Sequence, residues 1–527
     1  MKKALLSVVW MGILVAGCCR DEGKAAWEKL NRQAAQEYLE PVRPGYEGRN
    51  PYWNGFAKKF IYAPAFGFAD VSGAVKYRFE LSQEGGNWSF EAQRPCEPLS
   101  KVWNEIPVGK TELTVLALDA SGTVIDTAGV RTFLRDYPFA GPYRPAMLDY
   151  RTAAIKGALY NHTMPAVRWW RDHIEPDMSY PHNTYPCKII GATIRNECLV
   201  ARLLPDRREE ALQIARNAAQ FLVDQSRPEG DPLAFFPPTY YKDLEASRRD
   251  WNQGKTMVLE ALSAAQAFMD LFDATGEQGW YDRALAITRT YAKLQREDGS
   301  LPVKADFVTG EPVNASCAML HPLLNWLRRL KEQYGVEEFE PMRARAFNWM
   351  REVALERFDM TGQFEDVSVL NLEPYQNLTN CTAAPYASYL LRQETPSDRD
   401  IADARDLIRL SEDQFVHWDW PENPDGFKKN WTPCVHEQYH YEMPVDNSAC
   451  NVANAWLDWF DVTGDRLAFE KAKALIDSIT LMQNQNNGQL PTTWEWRPAY
   501  KDRNRTYWIN CSFSSIRTLL RMAEYPL

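Results

Sequence analysis

The chain lacks an excess of basic charge: 60 Lys and Arg face 70 Asp and Glu, a formal charge of −10. Phosphate backbones are bound by clustered Lys and Arg that outweigh the acids, so a general nucleic-acid partner is excluded. Beyond residues 4–16 there is no long apolar run, and no further segment reads as a transmembrane helix. Histidine and cysteine are scarce, seven and ten in 527 residues, and the Cys positions suggest no set of disulfide bridges. Disorder is excluded as well. Of the residues 45% are hydrophobic and 13% aromatic, enough to bury a large core in more than one domain. What the chain has in surplus is tryptophan, 19 in all. A buried indole must satisfy its N–H, so cores prefer Leu and Ile, and surplus Trp points to flat apolar binding surfaces.

Residues 1–17 read as an export leader. Lys2 and Lys3 precede an apolar run, Ala4 to Ala16, that is too short to span a bilayer. It ends in Val15-Ala16-Gly17-Cys18, which resembles the lipobox of bacterial lipoproteins. That resemblance implies cleavage before Cys18 and lipidation of its thiol. The expected location is the bacterial cell envelope, facing periplasm or cell surface, with the lipid anchor as the sole membrane attachment. Residues 18–56 read as a tether with a short helix.

An internal repeat organises the rest. Six segments open at Asn183, Asn252, Asn314, Asn377, Asn447 and Asn510, separated by 69, 62, 63, 70 and 63 residues. Each Asn is a good helix N-cap, and the helices that follow are rich in Ala, Ser, Cys and Leu. A more amphipathic helix precedes each one, over 148–173, 206–225, 277–296, 337–356, 398–416 and 466–484. Turns from small-residue helix to amphipathic helix are short, as in Ala274-Thr-Gly276, while the return connections are long. Such a pattern describes a closed ring of helical hairpins, an (α/α)6 barrel over 145–527. Small side chains let inner helices crowd together, which accounts for reduced Cys in the core. Residues 57–135 instead alternate with period two, as in Val75-Lys-Tyr-Arg-Phe-Glu-Leu, and suit an immunoglobulin- or fibronectin-like β-sandwich. The expected fold is thus multidomain, α and β, with the sandwich before the barrel.

Asp461-Val-Thr-Gly-Asp465, Lys471-Ala-Lys-Ala and Gly488-Gln-Leu-Pro-Thr-Thr-Trp494, echoed by Asp273-Ala-Thr-Gly276 and Asp298-Gly-Ser-Leu-Pro302, resemble the six-hairpin glycosidase superfamily over about 380 residues. The resemblance implies a carbohydrate-active enzyme. Fold alone does not fix chemistry.

The long loops share one face with the inner-helix N-termini, so the site is expected there. Their aromatics, among them Tyr241, Trp431, Trp494, Trp496 and Trp508, suit the apolar faces of sugar rings. Candidate binding residues also include His182, Tyr185, Arg248, Asn252, Lys255, Tyr375, Asn377 and Arg497. Local Lys and Arg and converging helix N-termini would suit a uronic acid. The densest chemical cluster is Cys434-Val-His436-Glu437-Gln438-Tyr439-His440-Tyr441-Glu442, followed by Asp446. A glycosidase needs an acid to protonate the leaving oxygen and a carboxylate to activate water or attack the sugar. Glu437, Glu442 and Asp446 are candidates, with Asp366 as an opposing partner, and a β-glucuronidase-like exo action is the sharpest form of this expectation. A polysaccharide lyase is the alternative, in which Tyr439, His436 or His440 removes a proton beside a uronate carboxyl that Asn377 helps to neutralise. His436 and His440 have the i, i+4 spacing of metal ligands but no clear third ligand. No metal or cofactor is therefore expected. A non-catalytic glycan-binding lipoprotein would keep the aromatics without needing Glu437. The partner expected in every case is an oligo- or polysaccharide.

Overall fold

The computed structural model describes residues 23–46, 49–53, 55–242, 249–364, 373–419, 432–494 and 507–526. Cys18 and the leader lie outside the described residues. The chain forms two compact units: Met1–Pro145 with Arg409–Pro433 and Trp456–Ala474, and Ala146–Ile408 with Cys434–Ala455 and Leu475–Leu527.

In the first unit a helix over residues 23–37 precedes five strands, β1 (Lys59–Phe60), β2 (Lys76–Gln83), β3 (Gly86–Ala92), β4 (Gly109–Leu118) and β5 (Val124–Arg135). They form one sheet, ordered β1-β5-β4-β2-β3, antiparallel except for the β1–β5 pair. The period-two pattern fixes the register, pairing Phe79 with Val115 and Leu81 with Leu113 on the buried face. A sandwich needs a second sheet on that face, and none is formed among the described residues. Irregular chain covers it instead. Trp103 stacks on Phe133 and donates its indole N–H to the Ile61 carbonyl at 2.8 Å, and Phe60 packs edge-on against Phe66 and Phe133.

The same unit buries a charged centre. Glu412, fully buried, accepts from Tyr38 (2.6 Å), Tyr62 (2.8 Å), the Trp418 indole (3.0 Å) and the Lys471 ammonium (2.8 Å). Four donors on one carboxylate replace the water it loses on burial. A short strand, β8 (Val416–His417), follows it.

Twelve longer helices run through the remainder of the described chain: α1 (Tyr150–Thr163), α2 (Gly191–Leu203), α3 (Arg208–Asp224), α4 (Ala261–Thr275), α5 (Gln278–Leu294), α6 (His321–Tyr334), α7 (Glu340–Trp349), α8 (Asn380–Leu391), α9 (Asp398–Phe415), α10 (Asp446–Thr463), α11 (Arg466–Met482) and α12 (Ile509–Met522). The odd-numbered helices fall within the amphipathic segments read from the sequence. In α5 the buried positions include Ala284, Ile287, Thr288 and Tyr291, one stripe at three-and-four spacing. Even-numbered helices other than α6 carry small residues, and the even-numbered set packs on one another. A methyl group at Gly191 of α2 would stand 3.1 Å from the Ser263 carbonyl of α4. Packing runs from α2 to α4, α6 and α8, and from α12 back to α2. Asn451 of α10 donates to the Cys381 thiol of α8 at 3.6 Å, and Asn454 of α10 to Thr518 of α12 at 2.8 Å. The inner helices therefore close into a ring, consistent with an (α/α)6 barrel. Gly276 and Gly335, in the left-handed conformation, end α4 and α6 and allow the tight turns into α5 and α7.

The opening asparagines are not the caps expected of them. Helices α2, α4 and α6 start well after Asn183, Asn252 and Asn314, α8 is capped by Thr379, and Asn447 and Asn510 lie in the first turns of α10 and α12. Irregular pieces intervene: a 3-10 turn (Pro181–Thr184) and a π turn (Pro186–Ile190) before α2, and paired strands β6 (Lys255–Met257) and β7 (Lys304–Asp306) beside α4 and α6. The eight described cysteines are all free thiols.

Candidate active site

The segment expected as a loop before the fifth inner helix is a β-hairpin, β9 (Cys434–Gln438) with β10 (Tyr441–Pro444), pairing Tyr441 with Gln438 and Pro444 with His436. Strand geometry changes the meaning of the cluster. Successive side chains point to opposite faces, so His436 and Gln438 lie on one side and Glu437 on the other. His436 is buried and Glu437 half-buried, while Tyr439 and His440 form the turn, with His440 exposed. The helical i, i+4 spacing of His436 and His440 does not apply to a strand and turn. Among the described residues no group of three or more His, Cys, Asp or Glu is arranged to hold a metal.

The segment leading into α8 fixes the hairpin. Asn377, fully buried, donates to the Gln438 side-chain carbonyl at 2.6 Å and accepts from the His440 backbone N–H at 2.9 Å. Thr379 donates to the Glu437 carbonyl at 2.6 Å, and Asn380 to the carbonyls of His436 (2.5 Å) and Glu437 (3.2 Å). Asn377 thus spends both ends of its amide on the hairpin, not on a ligand. The Glu437 carboxylate accepts from Gln438 at 3.3 Å and stands 4.0 Å from the Cys381 thiol.

Cys381 and Cys511 report which charges share this space. Burial pushes the Cys381 thiol up to about 12; Glu437 adds to the rise and Lys188 opposes it. The Cys511 thiol is also pushed well above its ordinary range by burial, with Glu437 and Lys188 again acting in opposite senses. A carboxylate from β9 and an ammonium from the π turn before α2 therefore act with opposite sign on the same pair of thiols. Lys188 also lies 5.4 Å from the centre of the Trp508 ring. Trp508 stacks on His182 at 4.0 Å and on Tyr185 at 5.4 Å, Tyr185 meets Tyr240 at 6.1 Å, and Lys304 lies 5.7 Å over Tyr240. The result is an aromatic wall with Lys188 over Trp508 and the buried Lys304 over Tyr240. Three candidate binding residues, His182, Tyr185 and Trp508, are brought together in it.

Other candidates take other positions. Trp494 is fully buried and gives its indole N–H to Asp446, so it presents no face to a sugar. Asp446, also fully buried, accepts in addition from Ser515 at 3.1 Å. Burial pushes its carboxyl up to about 8, against the pull of those two donors. A raised carboxyl pKa favours the folded state at low pH. That contribution is complete below the ordinary carboxylate range and is lost as pH rises through about 8. Asp446→Asn should therefore match the parent in denaturant stability near pH 4 and exceed it near pH 9. Equal stability at both pH values would contradict this state of the carboxyl.

Tyr241 packs edge-on against Phe221 at 5.0 Å. Asn252, buried, accepts from Lys304 at 2.7 Å, and Lys255 pairs with Asp306 at 3.2 Å. Tyr375 turns its hydroxyl to the Arg357 carbonyl at 2.5 Å. Asp366, Arg248, Trp431, Trp496 and Arg497 lie outside the described residues, as does the side chain of Glu442.

Three further side chains at inner-helix starts were not singled out by sequence reasoning. Lys188 sits between Cys187 and Ile189, and a lysine among the small and apolar residues of an inner helix was its available signal. His321 opens α6 and bonds to the Cys381 backbone; burial holds its imidazole down to about 3, so it is neutral around pH 7. Glu260, half-buried at the start of α4, is close enough to raise the Cys187 thiol further. No local pattern marks either of these two; their positions depend on where the helices start.

No family model matches the chain, and no curated protein matches it in sequence. Solved structures do resemble it. A D-mannose isomerase aligns with 71% of this chain and 97% of its own, at 10% identity and a TM-score of 0.51. A family 76 glycoside hydrolase from a bovine Bacteroides thetaiotaomicron strain aligns with 89% of this chain and 98% of its own, at 8% identity and a TM-score of 0.46. For the cellobiose 2-epimerase from Spirochaeta thermophila DSM 6192 the shares are 71% and 98%, at 9% identity and a TM-score of 0.47. The isomerase carries the likeness, and at that identity the likeness is one of fold alone, in keeping with the ring of helical hairpins described above.

Proposed function

We propose that the chain is a carbohydrate-active enzyme, a glycoside hydrolase that takes a uronic-acid-bearing glycan at the N-terminal ends of its inner helices. One observation carries this reading: Glu437 and Lys188 act with opposite sign on the same two thiols, and Lys188 lies 5.4 Å over the Trp508 ring of the wall. Stacked rings match the apolar faces of a sugar, and the Lys188 ammonium beside them matches a carboxylate substituent. In this reading Glu437 supplies one of the two carboxyl groups of glycoside cleavage. Asp366 and Glu442 remain the candidates for the other, joined by Glu260. Asp446 is read as a buried support rather than a reacting acid. The lipid anchor on Cys18 and the cell-envelope location belong to the same proposal.

The alternative reading is elimination, in which Tyr439 or His440 of the hairpin turn removes a proton next to a uronate carboxyl. Incubating the full chain with oligosaccharides that contain or lack uronic acid separates the readings. New reducing ends without an unsaturated product mark hydrolysis, and ultraviolet absorbance from an unsaturated uronate marks elimination. Lys188→Met should raise KM for the acidic substrate about tenfold and leave KM for a neutral one unchanged. Equal effects on both would refute the uronate assignment. Binding without any cleavage would make the chain a glycan-binding module.

A further inference from the structure

The opposite ends of the inner helices enclose a second space. A cavity of about 1110 Å³ is lined by the middle and C-terminal turns of α2, α4, α6 and α12 together with Arg208 and Arg392. Eight arginines and four carboxylates face it, with no lysine or histidine. In a chain of net charge −10 this is a local surplus of four positive charges.

Three of the four carboxylates are already engaged. Asp270 is held by Arg195 at 2.7 Å and by Arg329 at 2.6 Å, and Asp273 by Arg329 at 3.0 Å and the Tyr334 hydroxyl at 2.7 Å. Glu332 stands 3.9 Å from Arg328. Arg517 is left over. Among the described residues it has no ion pair or hydrogen bond, and its guanidinium lies 6.0 Å from the Phe513 ring. It is exposed, and the surface it exposes lines the cavity. The facing Arg195 and the surrounding protein draw its pKa down to about 10, so it still carries its charge at neutral pH. Arg202, at the end of α2, is exposed to the same space.

Helix dipoles explain part of this composition. Cations are favoured in the last turn of a helix, which covers Arg202 and Arg521. Arg195 and Arg517 lie mid-helix and gain nothing from that effect. Gathered guanidiniums repel one another at this close spacing. A bound anion turns that repulsion into attraction. Planar guanidiniums, unlike ammoniums, pair bidentately with phosphate and sulfate oxygens. The volume far exceeds that of a single oxyanion and lies just above the usual range of small-molecule pockets. Trp326, Phe513 and Leu520 add an apolar lining for an organic group.

We propose that this arginine-lined cavity is a binding site for a phosphate or sulfate ester of sugar size, separate from the site at the other end of the inner helices. Titration calorimetry on the full chain tests it, at constant ionic strength, with inorganic phosphate, sulfate, glucose 6-phosphate and glucose. The ester should bind, more tightly than either free anion, and glucose should not. Arg517→Gln should weaken ester binding about tenfold or more, and the ligand-free variant should melt no lower than the parent because it loses a repelled, unpaired charge. Lys188→Met should leave ester binding unchanged. Absence of binding by any anion would overturn the proposal. So would ester binding that Lys188→Met abolishes and Arg517→Gln spares, and tighter binding of free phosphate would refute the ester assignment.

Discussion

Glu437→Gln should lower kcat on a cleaved glycan by about 10²–10⁴-fold, the range lost with a general acid or base. The variant should keep its fold. The hairpin is held through main-chain carbonyls of His436 and Glu437, bonded by Thr379 and Asn380, and none of these bonds uses the carboxylate. Glutamine is isosteric with glutamate, and its amide can still meet the Gln438 side chain. The site changes in charge, not shape. In the parent the carboxylate and Lys188 act in opposite senses on Cys381 and Cys511, so loss of the carboxylate leaves that ammonium with less opposing charge. KM for an acidic substrate should therefore fall or hold while kcat collapses. Thermal melting that matches the parent separates this outcome from misfolding, and an unchanged kcat would remove Glu437 from the chemistry.

Lys471→Met should destabilise the first unit by about 3–5 kcal/mol, the cost of stranding a buried charge. Methionine fills similar space but leaves Glu412 with only the hydroxyls of Tyr38 and Tyr62 and the Trp418 indole. Lys471 is itself buried and bonds Glu37 at 3.3 Å as well as Glu412. A double variant, Lys471→Met with Glu412→Gln, should recover much of the loss, since a neutral amide can keep several of the same partners. Denaturant unfolding of the parent and both variants measures this. A loss below about 1 kcal/mol for the single variant would mean that the pair is worth no more than a surface one.

The helical ring was legible because its signal is periodic. Ala284, Ile287 and Tyr291 on one stripe, and the Ala-rich run from Ala261 to Ala267, needed only spacing and side-chain size to be read. Helix starts were not legible in the same way. Asn252 suits a cap chemically, but β6 intervenes and α4 begins at Ala261. Strand chemistry was hidden for a related reason. His436 and Glu437 are adjacent in sequence and read as partners, yet a strand sends them to opposite faces. The Trp surplus divided less cleanly by location than its loop positions suggested. Trp508 joins the wall, whereas Trp418 and Trp494 are buried with their N–H groups on Glu412 and Asp446. A buried acid satisfies the indole N–H as well as solvent would, and neighbours in sequence do not disclose that partner. The arginine cavity was equally hidden, because its members are spread from Arg195 to Arg521 and meet only when the ring closes.

Hydrolysis of a glycan at the Glu437 end of the inner helices is what we propose for this chain. Incubation with a uronate-containing oligosaccharide in water labelled with heavy oxygen tests it, with products read by mass spectrometry. The parent chain should place one labelled oxygen in the products per bond cleaved, and Glu437→Gln should give almost no labelled product. Cleavage without incorporated label, or label undiminished in that variant, would contradict it.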